Sequence, residues 1–498
     1  MNTTNKNRPQ REENYSIKAT FITDEKQYHR LPCKVYLPER IFEKPFFFIG
    51  PIDEKNKEIF DLFEARFRTD FGNVIGQEEP RTYLDSPIVY FSSKQIKYNN
   101  DSGSIRTMKA EPQDLHVIDN HKLTVEKNDV NHLTFWLSPN SFLTPSATRE
   151  SSFSGDITYE KVNPIEFYIK NNLRLSFAKH YKSKDLENGD LIQWSYLVAE
   201  TETDIPIRES DTLKTKLLPD IDDFLLLVSF ATRFRTSCLG WAGYDDSCTT
   251  TFYRGNYVFP NNEKQDWNRG ILDITRFNDF IEKCYPIFLR HSNKHLLRSA
   301  LHSIVPVKSY TLEASFLRLF AGLETLILSF RRENDLEYIV PVDEEWTELR
   351  KLLQKYIKSI DTPTLSKAQR KLIYPKLGEL NRVSIREAFN RFSTEYRLKL
   401  DDLWPVFGDK ASVGLVDIRN KIIHGDPFSH DVFDCLMVAL EHLKYTLERM
   451  ILTFLEWDVD DSLINPRYLK SRDTTIKDLP GSMIKLTDFL RRDPSSPT

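Results

Sequence analysis

The hydrophobic pattern of this chain changes its period once, near residue 273, and this change constrains the fold more than any other feature. Before it, apolar residues come in short runs that often alternate with polar ones, as at Leu173, Leu175 and Phe177. After it, apolar residues recur every three to four positions, as at Leu319 and Leu323. Alternation is typical of half-buried strands, and the longer period is typical of amphipathic helices. We therefore predict an α+β multidomain chain, with a strand-rich antiparallel N-terminal domain followed by an all-α helical bundle.

Turn residues and helix-capping signals divide each half into elements. Predicted strands include 16–23, 34–37, 45–49, 87–91, 132–137, 157–162, 166–169, 173–177, 191–199 and 249–259. Predicted helices lie at 57–67, 220–234, 277–289, 293–305, 310–330, 343–360, 365–374, 384–400, 412–424 and 430–457. The expected organisation is a disordered tail at 1–14, a regulatory or sensing domain at 15–275, a helical domain at 276–457 and a mixed extension at 458–498.

Composition limits the classes of function. The net charge is −4, so a nucleic-acid site has to be a local basic patch. The five scattered cysteines argue against a disulfide framework, and a reducing cytoplasm is the expected compartment. No apolar window predicts a transmembrane helix, and the polar N-terminus is not expected to be a signal peptide. The sequence contains no P-loop, HExxH or GxSxG motif and no zinc-ligand set, so neither a metal nor a cofactor is expected.

The candidate site is the stretch DIRNKIIHGDP at 417–427. Its apolar spacing predicts a helix whose last turn carries His424 and which stops at Gly425. Asn420 and His424 are four residues apart and share a helix face. Arg419 lies five residues before His424, about 140° around the helix, so its long side chain has to reach back. Guanidinium, amide and imidazole groups together are suited to phosphate chemistry.

Spacing alone does not separate a functional from a structural interpretation, because the Arg-x4-His spacing occurs twice. The other copy, Arg290 and His295, lies in a polar connection between two predicted helices, and we interpret it as a solvated turn. For Arg419 the structural alternative is a surface salt bridge with Asp417 or Asp426. For His424 it is a helix-ending residue that bonds a carbonyl.

The stretch from Arg419 to Gly425 resembles the Arg-polar-x3-His motif of the HEPN superfamily of ribonucleases and RNA-binding domains. Its apolar flanks and its Ile-Ile-His-Gly ending are similar to the Apea-like HEPN branch. A strand-rich half followed by such a helical half also resembles the ApeA-type proteins of bacterial anti-phage defence. The resemblance covers roughly 290–457 and is looser over 15–275.

This resemblance implies a metal-independent endoribonuclease that acts as an abortive-infection effector, with a tRNA as a plausible target. The RNA 2′-OH would attack the adjacent phosphorus and leave 2′,3′-cyclic phosphate and 5′-OH ends. His424 would move the proton, Arg419 would bind the phosphorane oxygens, and Asn420 would bond the phosphate or orient the imidazole. The family implies a homodimer with a composite active site, and an unknown phage-derived trigger. The alternatives are a catalytically silent HEPN module that binds RNA or a protein partner, and a toxin–antitoxin component.

Glu324 is a carboxylate within the apolar stripe of the predicted helix at 310–330. Such a carboxylate is costly unless it is paired. One hypothesis is that Glu324 meets Arg419 inside the bundle and holds it in position. The alternative is that Glu324 sits at the edge of the stripe in water.

A basic tract precedes the candidate motif. Residues 350–399 contain thirteen Lys and Arg against four Asp and Glu, with aromatic residues between them. Basic and aromatic side chains together can follow an RNA backbone and stack unpaired bases. Lys367, Arg370 and Lys371, together with Lys421 in the motif, are the predicted RNA-binding residues. The alternative is that the tract forms solvated helix faces around core aromatics.

Overall fold

The computed structural model describes residues 15–22, 27–38, 43–52, 73–78, 82–86, 89–99, 103–120, 131–145, 149–151, 157–159, 165–170, 173–185, 191–245, 248–254, 270–305, 311–340, 344–360, 364–425 and 427–491. The chain forms two compact units: Met1–Ser229 with Phe234–Trp267, and Phe230–Arg233 with Asn268–Thr498. The fold is α+β, with antiparallel strands in the N-terminal region and helices in the C-terminal region, which confirms the predicted class.

The strands of the first unit are β1 (Tyr15–Ile22), β2 (Gln27–Tyr36), β3 (Phe46–Ile52), β4 (Asn73–Glu78), β5 (Thr82–Ser86), β6 (Val89–Asn99), β7 (Gly103–Pro112), β8 (Asp114–Asn120), β9 (Asn131–Leu137), β10 (Arg149–Ser151), β11 (Ile157–Tyr159), β12 (Ile165–Ile169), β13 (Leu173–Asp185), β14 (Leu191–Thr203), β15 (Cys238–Tyr244) and β16 (Cys248–Arg254). Within the described residues, fourteen of them form one sheet in the order β12-β13-β14-β9-β15-β16-β8-β5-β4-β1-β2-β3-β7-β6. The other two, β10 and β11, pair with each other.

The sheet buries the face that the alternation predicts. Leu175 and Phe177 are fully buried, while Arg174, which precedes them, is exposed. On the neighbouring strands β15 and β16, Trp241 packs against Phe252, with ring centroids 4.1 Å apart. Because successive side chains of a strand point to opposite faces, alternate apolar residues form one continuous core.

Gly240 explains why a glycine-containing stretch forms the strand β15. A Cβ atom at Gly240 would lie 2.1 Å from the carbonyl oxygen of Phe252, so only glycine allows this approach. The pairing of β15 with β9 also shifts register between Cys238 and Gly240. This bulge lies beside the close contact and follows from it.

The helices are α1 (Leu218–Thr232), α2 (Phe277–Arg290), α3 (Lys294–Ile304), α4 (Leu312–Glu333), α5 (Glu344–Ser359), α6 (Lys367–Lys376), α7 (Ile385–Glu395), α8 (Leu415–Ile423), α9 (Phe433–Phe454), α10 (Pro466–Arg472) and α11 (Thr474–Arg491). Short helical turns lie at Ser210–Thr212, Leu213–Leu217, Ile274–Arg276, Leu377–Asn381, His430–Val432 and Val459–Asp461. The last residues of α1 belong to the second unit, where the buried Glu448 carboxylate bonds the Arg233 guanidinium.

The core of the second unit is built on α4 and α9, which pack against each other. Gly322 lets α4 approach α3, because a Cβ atom there would lie 1.9 Å from Ser303 Oγ. Of the extension at 458–498, the structure describes residues 458–491, which are largely helical, with α11 packed on α9. Leu486 of α11 is fully buried, because this helix covers an apolar face of α9.

Three remaining predictions concern one helix, the cysteines and membrane-spanning segments. The predicted helix at 57–67 lies outside the described residues. All five cysteines are buried free thiols. Among the described helices, none has the length and apolar content needed to cross a membrane.

Candidate active site

The loop before α8 holds this helix in place. The backbone N–H groups of Leu415 and Val416 donate to the carbonyls of Pro405 and Val406, each at 3.0 Å. The buried Trp404 indole donates to the Val413 carbonyl at 3.0 Å. The start of α8 is therefore fixed by hydrogen bonds to residues that lie about ten positions earlier in the chain.

Two glycines make the turn into α8 possible. A Cβ atom on Gly414 would lie 2.2 Å from the Gly408 nitrogen, and one on Gly408 would lie 2.5 Å from Asp417 Oδ2. That carboxylate accepts the Gly414 N–H at 2.7 Å, so Asp417 caps the N-terminus of its own helix.

Helix α8 ends as the sequence predicts, within one residue. Ile423 is its last residue, and His424 follows as the C-cap with its N–H donating to the Asn420 carbonyl at 3.0 Å. Gly425 has a φ of +77°, the left-handed conformation that glycine favours after a helix. His424 is consequently displayed at the exposed end of the helix.

Arg419 is held by groups from two helices. Its Nη2 donates to Glu324 Oε1 of α4 at 3.2 Å, and its Nη1 donates to Asn420 Oδ1 at 3.2 Å. Its guanidinium carbon lies 5.7 Å from the centroid of the Phe320 ring, one turn before Glu324 on α4. The predicted contact between Glu324 and Arg419 is thus present, and the pair is about one third exposed (32% and 30%). Asp417, the alternative partner, caps the helix start instead, and Asp426 lies outside the described residues.

The structure brings Arg419, Asn420 and Glu324 together, but it does not join the imidazole of His424 to them. Among the described residues, no side-chain hydrogen bond or ion pair of His424 is present. The amide of Asn420 accepts from Arg419, so it bonds the arginine rather than the histidine. Phe320 under the guanidinium is the contact that sequence reasoning missed. Phe320 lies four residues before Glu324 and so shares its helix face, and this spacing could have predicted the contact with Arg419.

Two of the predicted RNA-binding residues are exposed, and the other two contact groups of the protein itself. Lys367 and Lys371 are exposed on α6. Arg370 instead donates to the carbonyls of Lys358 (3.3 Å) and Ile360 at the end of α5. Lys421 places its Nζ 5.8 Å from the Phe489 ring centroid.

Other cations of the basic tract are also engaged within the unit. Arg386 donates to the Gly408 carbonyl at 3.2 Å, Arg391 pairs with Glu387 at 2.8 Å, and Lys399 pairs with Asp460 at 2.5 Å. The charge counted over 350–399 therefore overstates the charge that faces solvent without a partner.

The second Arg-x4-His copy spans the end of α2 and the start of α3. Arg290 Nε donates to the Pro286 carbonyl at 3.2 Å, and His295 is exposed on α3.

Comparisons with models of protein families, with curated proteins and with solved structures found no match. The motif and its surroundings are therefore the observations from which a function has to be argued.

Proposed function

We propose that this protein is a metal-independent endoribonuclease of the HEPN type. The observation that carries the proposal is the placement of Arg419, which Glu324, Asn420 and Phe320 hold on the helix that displays His424 at its exposed end. A held guanidinium and an accessible imidazole at the end of the same helix are the two groups that RNA transesterification requires.

Arg419 retains the capacity to bind a phosphate in this arrangement. A guanidinium has five N–H donors, and the contacts with Glu324 and Asn420 use two of them. The Nε–H and one N–H on each of Nη1 and Nη2 remain to donate to phosphate oxygens. Because the side chain is 30% exposed, a phosphate can reach it from solvent.

His424 would move the proton between the RNA 2′-OH and the leaving 5′ oxygen. Imidazole side chains exchange protons near neutral pH, and an exposed imidazole can approach a bound strand. Within the described residues no hydrogen bond joins His424 to the Arg419 side chain, and this supports a composite site, in which the arginine of one copy and the histidine of another act on one phosphate. The active form would then be a homodimer. It would act as an effector of anti-phage defence and cleave tRNA or another RNA once a phage-derived trigger releases it.

Cleavage assays test this proposal. Wild-type protein, Arg419→Ala and His424→Ala are incubated with total RNA in EDTA, and the ends of the products are mapped. The matched controls are Arg290→Ala and His295→Ala, which alter the same two residue types at the same spacing. Because no trigger is present, we expect a basal level of cyclic-phosphate ends from the wild type and both controls, and none from the two motif variants. Activity that EDTA abolishes, or that survives both motif substitutions, contradicts the proposal.

A co-expression experiment tests the composite site. If each site takes Arg419 from one copy and His424 from the other, a mixed dimer of Arg419→Ala and His424→Ala contains one intact site. Cleavage by the mixture, but by neither variant alone, supports the composite arrangement. An inactive mixture with verified mixed dimers means that each site is built within one copy.

Lys367 and Lys371 are proposed to contact the RNA backbone. Each neutralised phosphate contact contributes about 0.7 to the slope of log affinity against log salt for single strands. The double variant Lys367→Gln/Lys371→Gln, which removes two such contacts, should lower this slope by about 1.4 units. The control is Lys470→Gln/Lys477→Gln, which removes two exposed lysines from α10 and α11. Equal slopes for the two double variants contradict the assignment.

The runner-up function is a catalytically silent module that binds RNA. The observation that favours it is that, among the described residues, no hydrogen bond joins His424 to Arg419. RNA binding by the wild type that Arg419→Ala weakens, with no cleavage by any protein or mixture, supports this function.

A further inference from the structure

A cavity of about 360 Å³ lies at one end of the helical unit, where four helices stop. Arg290 ends α2, Glu333 ends α4, Tyr396 follows α7 as its C-cap, and Phe454 ends α9. All four residues line the cavity. Each helix C-terminus carries a partial negative charge of roughly half an electron, so four such ends together favour a cation.

Two carboxylates add to this potential. Glu333 Oε1 accepts from Ser292 Oγ at 2.7 Å and from Asn293 Nδ2 at 3.3 Å. Within the described residues both bonds use Oε1, which leaves Oε2 to accept a further donor. Glu456 also lines the cavity, and it has a φ of +53°, a left-handed conformation that is uncommon for glutamate. Its N–H donates to the Thr453 carbonyl at 3.0 Å, which fixes the backbone of this turn, and its side chain is exposed.

The imidazole in the cavity wall does not bring a competing charge. Nδ1 of His291 accepts the Asn293 N–H at 3.2 Å, as a neutral ring with its proton on Nε2 does, and the same Nδ1 lies 3.4 Å from Glu333 Oε1. Burial lowers the pKa of His291, and Glu333 raises it by less. Arg290 is the cation of the lining, and its Nε donates to the Pro286 carbonyl of its own helix. With Glu333 and Glu456 on the same lining, the net charge is −1, which still favours a cation.

The walls are aromatic. The rings of Tyr396 and Phe454 lie 6.2 Å apart between centroids, and those of His291 and Phe454 lie 5.5 Å apart. Aromatic faces attract organic cations, whose alkyl groups also bury apolar surface against the rings. A strongly hydrated metal ion makes less use of such walls, since it binds through oxygen ligands and water.

We propose that this cavity binds a small aliphatic amine, a mono- or diammonium alkane of the polyamine class. Glu456 and Oε2 of Glu333 accept the ammonium protons, the helix ends stabilise the charge, and the rings of Tyr396 and Phe454 contact the alkyl chain. The site is separate from the Arg419 motif: Glu333 lies nine residues after Glu324 on α4, a rise of about 14 Å.

Calorimetric titration of the full chain at low ionic strength tests the site, with putrescine as the probe. The matched ligand is 1,4-butanediol, which has the same length and no charge. We expect one putrescine per chain and no measurable binding of the diol. Glu456→Gln removes one charge-assisted bond and should weaken putrescine binding about tenfold. Glu395→Gln is the control, because Glu395 is the last residue of α7 and lines a neighbouring cavity instead. It should stay within about twofold of the wild type.

Several results overturn the proposal. Equal weakening by Glu456→Gln and Glu395→Gln means that putrescine responds to overall charge rather than to this cavity. Binding of the diol as tightly as putrescine, or absence of putrescine binding to folded wild-type protein, also overturns it. Circular dichroism of both variants shows whether each retains the wild-type helical content. Glu456 is exposed, so we expect both variants to fold.

Discussion

Glu324→Gln is the substitution that most directly tests how Arg419 is positioned. It removes one negative charge 3.2 Å from the guanidinium but leaves an amide oxygen that can accept the same hydrogen bond. Since both side chains are about one third exposed, solvent screens the pair, and exposed pairs contribute about 0.2–1 kcal/mol. For a unit of this size, a loss of 1 kcal/mol corresponds to a decrease of about 2–4 °C in Tm. We therefore expect a decrease in Tm of at most about 4 °C.

The effect on RNA cleavage should be larger than the effect on stability. A neutral amide orients the guanidinium less firmly, and small misplacements of a catalytic group can cost up to about a hundredfold in rate. We expect the rate of cleavage to fall about tenfold or more at saturating RNA. The matched control is Asp461→Asn, which weakens the exposed pair with Arg276 in the same unit (2.8 Å) and lies outside the site. It should change Tm by a similar amount and leave cleavage unchanged.

The measurements are calorimetric Tm values and initial cleavage rates for the three proteins. Unchanged cleavage and unchanged Tm in Glu324→Gln would remove Glu324 from the site. A decrease in Tm of more than about 8 °C, twice the upper estimate, would refute the reasoning from exposure, because it would mean that the pair behaves as a buried one.

Three further predictions test the fold. Burial lowers the pKa of His116 to about 4, so as pH falls below 6.5 the unfolded chain binds a proton that the folded chain does not. Folding should lose about 2 kcal/mol between pH 7 and 5, and His116→Gln should remove this dependence in urea unfolding at the two pH values. Arg449→Met leaves the Asp402 carboxylate without its buried partner and should cost about 3–5 kcal/mol, with partial recovery of Tm in Arg449→Met/Asp402→Leu. Gly322→Ala gains about 1 kcal/mol of helix propensity but meets Ser303 Oγ at 1.9 Å, so Tm should fall, and Ser303→Gly should restore part of it.

The sequence predicts elements well where their signals are local. The predicted helix at 310–330 is α4, which starts at Leu312 because the Thr311 hydroxyl caps it by accepting the Ala314 N–H at 3.3 Å. The end of α8 follows from Gly425, whose left-handed conformation stops the helix. Caps and glycine stops act within a few residues, so they are visible in a single sequence.

The sequence predicts charge less well, because a residue count does not show what each charge bonds. Arg370 was predicted to bind RNA, and it bonds carbonyls at the end of α5. Its role in RNA binding stays a prediction, and the structure gives Lys367 and Lys371 the more accessible positions. The carbonyls that Arg370 bonds lie at the end of a different helix, so no local pattern marks them.

The sequence by itself determined the division into strands and helices and the display of His424 at a helix end, because hydrophobic period and capping are local properties. It also suggested Glu324 as a partner for Arg419 but left a solvent-exposed position equally open. Only the tertiary structure decided that these residues, 95 positions apart, meet at 3.2 Å. It alone also brought four helix ends together around one cavity. The packing of whole helices sets such contacts, and packing depends on all the apolar faces at once.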